Sequence, residues 1–92
     1  LDQRLVRRFR EPGNPDGLAV DIEGNILQTL PGIRAIAYLS ASGDLLDLYH
    51  VSDWAPANLA FGGDDMKTVF VCGSAQNAVY QFRHPVAGSP LL

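Results

Sequence analysis

Asp16 is the residue of this chain best placed to do chemistry. It stands in Asn14-Pro15-Asp16-Gly17, a turn signal in which proline presets its own φ and glycine takes conformations other residues avoid. Carboxylate and amide oxygens are the donors that a hard divalent cation takes, and a carboxylate beside a water can accept its proton. The same aspartate can instead close an Asx-type turn before Gly17. Asn14 and Asn58 offer amide oxygens to a metal or a substrate, or else cap turns. Asp21 follows the next apolar run and reads as a turn residue, and Asp64-Asp65 as a solvated hairpin turn. His50 and His84 fall at expected strand ends with no His or Cys at ligand spacing, which suits surface or packing positions. There is no Gly-Xaa-Ser-Xaa-Gly elbow and no P-loop.

Short strands must position these residues. Gly17 to Ile22 and Asn25 to Leu30 flank the turn Glu23-Gly24-Asn25 as a hairpin. Pro31-Gly32 turns into a strand from Ile33 to Leu39, and Ser40 to Asp44 turns into another from Leu45 to Val51. Apolar runs of this length between turns predict an all-β chain, and no window carries a helical stripe. Leu5 to Phe9 reads as one more short strand, ended by the loop Glu11-Pro12-Gly13-Asn14-Pro15.

After Pro56 the pattern begins again. Asn58-Leu59-Ala60-Phe61 takes the place of Gly17-Leu18-Ala19-Val20, Thr68 to Val71 that of Asn25 to Gln28, and Val79 to Phe82 that of Ile36 to Leu39. A period of about forty residues is that of a four-stranded propeller blade. Stacked blades bury both faces, so strict alternation is not required. The sequence therefore holds one outer strand, a complete blade at about 17–51, and three strands of a further blade at about 57–83. Six blades need roughly 250 to 300 residues, so about a third of a propeller is present. Two blades alone leave apolar rows at Leu18 to Val20, Ile33 to Leu39 and Val69 to Val71 half covered.

Composition narrows the function classes. The chain of 92 residues is 47% hydrophobic and 18% charged, which is globular, and its net charge of −3 gives no general attraction to nucleic acid. Arg4, Arg7, Arg8 and Arg10 crowd the first ten positions and alternate with apolar residues as the wet face of an edge strand would. Cys72 is the one cysteine. It allows no intrachain disulfide and no cysteine-built zinc site, and between Phe70, Val71 and the turn it reads as a buried strand thiol. Trp54 covers a channel mouth or fills a seam between blades. No signal peptide and no membrane-length apolar run is found, so a soluble, cytoplasmic rather than secreted protein is expected. The chain starts on Leu1 rather than methionine and is read as lacking its true N-terminus.

Two segments carry a resemblance. Pro15-Asp16-Gly17-Leu18-Ala19-Val20-Asp21 followed by Gly24-Asn25, and Asn58-Leu59-Ala60-Phe61-Gly62-Gly63 followed by Lys67-Thr68-Val69-Phe70-Val71, resemble the senescence-marker-protein/gluconolactonase family. Those proteins are six-bladed β-propellers that bind a divalent metal and hydrolyse lactones. Propellers of the NHL-repeat type share the first pattern, but Phe-Gly-Gly is not expected of them. The resemblance spans about residues 9 to 85, at the C-terminal end of the propeller, and the tail from Pro85 resembles the exit after the last inner strands. It implies that Asp16 is a metal ligand and the general base. The metal is expected to be calcium, with zinc or magnesium as alternatives, and the substrate a sugar lactone or related ester. The family's remaining ligands, a glutamate and two asparagines from other blades, have no match here. Missing blades or partner chains are implied, no nucleic acid or membrane partner is, and the 92 residues alone are expected to be inactive. The alternatives are a non-catalytic NHL-like binding module and an inactive structural remnant.

Overall fold

The computed structural model describes residues 2–51 and 55–90; Trp54 lies outside them. Among the described residues seven strands form two antiparallel sheets. β1 (Leu18–Val20), β2 (Ile26–Leu30), β3 (Ala35–Leu39) and β4 (Leu45–His50) make a four-stranded sheet in that order. β5 (Pro56–Gly62), β6 (Thr68–Gly73) and β7 (Ala78–Arg83) make a three-stranded one. Two single 3-10 turns, Pro31–Ile33 and Ser74–Gln76, are the only helical backbone among the described residues. The chain is all-β and has the form of two adjacent propeller blades.

The connections follow from the turn residues. Gly24, Gly43 and Gly63 take the positive φ that tight hairpins require, and Arg34 and Asn77 do so at the equivalent exits of the two 3-10 turns. Leu18 faces Gln28 and Val20 faces Ile26 across β1 and β2, while Leu59 faces Val71 across β5 and β6. β5, β6 and β7 therefore repeat β1, β2 and β3, and β4 has no counterpart among the described residues.

The core lies between the sheets. Leu27 and Ile36 of the first meet Leu59, Val69 and Val71 of the second, with Ala19, Tyr38, Tyr49, Phe61 and Phe82 around them. Burying each such aliphatic side chain contributes about 1.5–3 kcal/mol. The opposite face of the first sheet holds Leu30, Ala37 and Leu39, with Phe9, Ile26 and Leu48 against them. That face is covered by the N-terminal segment, so Leu27 to Leu30 and Ala35 to Ala37 are buried without alternation.

Three expectations are corrected. Leu5 to Phe9 is not a strand: residues 2–10 join no ladder, because an edge strand needs a neighbour to pair with and none lies beside it. The segment is instead tied to the Ser40–Asp44 turn, with Arg7 donating to Gly43 O at 2.9 Å and Arg4 to Ala41 O at 3.3 Å. The row at Ile33 to Leu39 is covered from Ala35 onward by that segment, whereas Leu18, Val20, Ile33 and Phe70 stay exposed and the row at Val69 to Val71 is half covered as expected. Cys72 is exposed, because strict alternation in β6 puts Val69 and Val71 inward and Phe70 and Cys72 outward. The open face of the second blade thus carries Phe70 at 40% and Val79 at 69% exposure.

Candidate functional site

β1 and β5 start at the same end and touch there. Gly17 N donates to Ala57 O at 2.9 Å and to Thr29 Oγ1 at 2.9 Å. Gly17 O accepts from Thr29 N at 2.9 Å and from Gln28 Nε2 at 3.0 Å. The buried Thr29 hydroxyl also reaches Ala57 O at 3.0 Å, tying the blades together at this point. A Cβ on Gly17 would lie 2.7 Å from Asn58 Cα, so only glycine lets the two inner strands approach this closely.

Asp16 sits on this fixed peptide. Its N–H donates to Thr29 O at 3.2 Å. Its carboxylate is exposed and takes no hydrogen bond or ion pair among the described residues. Asp21, Asp47 and Asp65 each accept a backbone N–H close in sequence. Asp16 does not, so it closes no Asx turn, and its charge is exposed beside the Gly17 contact between the two sheets.

The asparagines part ways. Asn58 lies directly against Gly17, but its Oδ1 already accepts from Leu59 N at 2.9 Å, a local capping bond. Asn14 holds a left-handed φ of 54° and lines a cleft of about 540 Å³ with Phe9, Arg10, Pro12, Pro15 and Gly32. A second, more apolar groove of about 520 Å³ runs along β1 and β5, from Asn58 to Ser89 and Pro90.

The other end of β1 holds a buried polar cluster that sequence reasoning did not assemble. Asp21 Oδ1 accepts from Glu23 N at 2.9 Å and Asn25 N at 3.0 Å. Its Oδ2 accepts the Tyr38 hydroxyl at 2.6 Å and lies 3.4 Å from His84 Nε2. His84 Nδ1 lies 3.5 Å from the Tyr49 hydroxyl, and its ring sits edge-on to Tyr38 at 4.6 Å. Burial pushes the Asp21 carboxyl up, but the hydrogen bonds from Tyr38, Asn25, His84 and Glu23 together hold it below its ordinary value. Burial and the hydrogen bond to Asp21 push the Tyr38 phenol up to about 12. Asp21 does terminate the hairpin as expected, yet it is buried, and His84 is a packing residue with a polar partner. One signal was available: Asp21 breaks the repeat, since Gly62 occupies its place in the second blade.

The family model described as the SMP-30/Gluconolactonase/LRE-like region matches residues 2–75. The chain belongs to this family. It is 31% identical over 77 residues to the 6-deoxy-6-sulfogluconolactonase of Pseudomonas putida, a match covering 82% of this chain and 26% of that protein. An X-ray structure described as a putative gluconolactonase superposes with a TM-score of 0.75 at 28% identity, over 89% of this chain and 27% of its own. The chain thus spans about a quarter of the length of these relatives. Membership in the SMP-30/gluconolactonase family separates it from the NHL-repeat propellers that share the Pro-Asp-Gly pattern.

A complete metal centre does not fit within these residues. Calcium takes six to eight oxygens, and among the described residues no three of His, Cys, Asp and Glu come together. Asp16 supplies one unengaged carboxylate, suited to a single ligand position. No helix among the described residues is long and apolar enough to cross a membrane.

Proposed function

We propose that the propeller to which these blades belong hydrolyses a sugar lactone or related ester, with Asp16 at the reacting end of its channel. The observation that carries this reading is the Asp16 carboxylate, exposed and unbonded on a backbone pinned from both blades. Family membership and the lactonase relatives support the substrate class. Asp16 acts as the general base, accepting the proton of the water that attacks the lactone carbonyl. It also offers one oxygen to a divalent cation, calcium by family resemblance with zinc or magnesium as alternatives, and the other ligands come from outside these residues. Such a cation, when bound, polarises the carbonyl. Gly17, Thr29 and Ala57 hold the Asp16 peptide in place, so little ordering is needed when substrate arrives.

The test is Asp16→Asn in the intact propeller, assayed on a panel of sugar lactones with calcium, zinc and magnesium. The amide is isosteric but takes no proton and carries no charge. Loss of a general base alone predicts a fall in kcat/KM of about 100-fold or more, with an unchanged circular dichroism spectrum. Hydrolysis at the wild-type rate would return Asp16 to a loop residue and the chain to a binding or structural propeller.

A further inference from the structure

We propose that Asp21, Tyr38, Tyr49 and His84 form a buried polar latch between the blades that holds the C-terminal segment on β1 and thereby positions Asp16. The positioning part rests on the catalytic reading of Asp16; the latch itself does not.

β1 is an edge strand of three residues, paired on one side with β2. Its other edge is held by few bonds. Gly17 N reaches Ala57 O at 2.9 Å, Ser89 N donates to Val20 O at 2.9 Å, and Ile22 N donates to Ala87 O at 2.8 Å. Asp21 faces Gly88 in an isolated bridge. The segment 84–89 therefore adds itself to β1 as a short clasp. Gly88 N also donates to Met66 O at 2.8 Å, so the clasp spans both blades.

His84 anchors that clasp. Its side chain and that of Asp21 are both fully buried. The ring is enclosed by Tyr38 and Tyr49 of the first blade and Phe61 of the second, with centroids 4.6, 6.4 and 5.7 Å away. Its Nε2 contacts Asp21 at 3.4 Å. No buried side-chain nitrogen or oxygen among the described residues lacks a partner, so opening the latch strands several polar groups at once. Asp21 and Asp16 are five positions apart on one extended segment, roughly 16 Å at strand spacing. When the clasp lifts, the outer edge of β1 keeps only its bond to Ala57, beside Asp16. β1 stays paired with β2, and its three residues leave little length over which a shift at Asp21 could be absorbed before it reaches Asp16.

Tyr38→Phe removes the hydroxyl that donates to Asp21 and keeps the ring against His84. Hydrogen–deuterium exchange at neutral pH, resolved by peptide, reads the outcome. We expect segment 84–89 and the remote Asp16–Gly17 amides to exchange faster together, by about tenfold, the scale of one hydrogen bond to a charged acceptor. His84→Phe, which keeps a ring but loses both nitrogens, should reproduce the pattern and covers the case in which Tyr38→Phe does not fold. In the intact propeller both variants should lower kcat with little change in KM. Faster exchange at 84–89 with Asp16 and Gly17 unchanged would overturn the positioning role, and no change at either would overturn the latch. If the unmutated propeller hydrolyses no lactone while the two segments still exchange together, the catalytic reading fails and the latch stands.

Discussion

Gly17→Ala tests how closely the inner strands meet. The added Cβ would lie 2.7 Å from Asn58 Cα and closer still to Asn58 Oδ1. Carbon atoms rest about 3.5–4.0 Å apart, so β1 and β5 must part by roughly 1 Å. The Asn58 side chain can swing aside, but its backbone cannot. Overpacking of this kind costs about 1–3 kcal/mol. The Gly17 N to Ala57 O bond of 2.9 Å lies in the path of the movement, and its loss adds about 1 kcal/mol. With a urea m value of about 1.5 kcal/mol/M for a small domain, a total of about 2–4 kcal/mol lowers the unfolding midpoint by roughly 1.3–2.7 M. Gly24→Ala is the control. Gly24 has a φ of 83° and nothing within 4 Å of an added Cβ, so it carries only the backbone cost of about 1–2 kcal/mol. Asn58→Ala in the Gly17→Ala background should recover only part of the loss, because the clash with the backbone of residue 58 remains. A Gly17→Ala midpoint no lower than that of Gly24→Ala would refute the close approach of β1 and β5.

Three further outcomes are expected. Asp21 has a folded-state carboxyl held below its ordinary value of 3.8, so its contribution is whole above that value and is lost as pH falls through the folded one; urea midpoints from about pH 5 to 2 should show this loss in the wild type and not in Asp21→Asn. Cys72 is exposed on the open face of the second blade, so a thiol reagent should titrate one equivalent in the native chain within minutes, whereas slow labelling that waits for denaturant would place it inside. The 92 residues alone should self-associate, because Leu18, Phe70 and Val79 are 54%, 40% and 69% exposed on uncovered blade surfaces, and should show no lactone turnover; a monodisperse monomer by light scattering with metal-stimulated hydrolysis would contradict both.

Much of the fold was legible because blade architecture is written locally. Glycines at 24, 43 and 63 mark turns whose positive φ can be anticipated from residue type. The apolar runs between them become β1 to β7 within a residue or two. The Asp16 loop was legible only in part: Pro15 and Gly17 suggested a turn, but none forms at residues 13–17, and Gly17 is required by the approach of Asn58 rather than by a positive φ. Covering was not legible. Leu5 to Phe9 has strand composition, but a ladder needs a partner, and whether one lies alongside is a property of the assembled molecule. Cys72 was misplaced on similar grounds. Its apolar neighbours suggested burial, yet facing is decided by register, and Val71 opposite Tyr80 turned Cys72 to the other side.

The Asp21 cluster shows where local reading ends. Asp21 and His84 are 63 positions apart, and nothing near either announces the other. Taken alone, Asp21 is a turn aspartate, and its bonds to Glu23 N and Asn25 N satisfy that role completely through Oδ1. Only the fold reveals that Oδ2 is turned inward to Tyr38 and His84. A carboxylate with a local task on one oxygen and a long-range task on the other cannot be exchanged for another turn-forming residue without removing the acceptor that the Tyr38 hydroxyl and the buried His84 share. The second blade makes the comparison: at the matching place Gly62 ends β5 opposite Thr68 and has no side chain to reach a partner. The difference between the repeats, rather than their likeness, marks the residue that joins them.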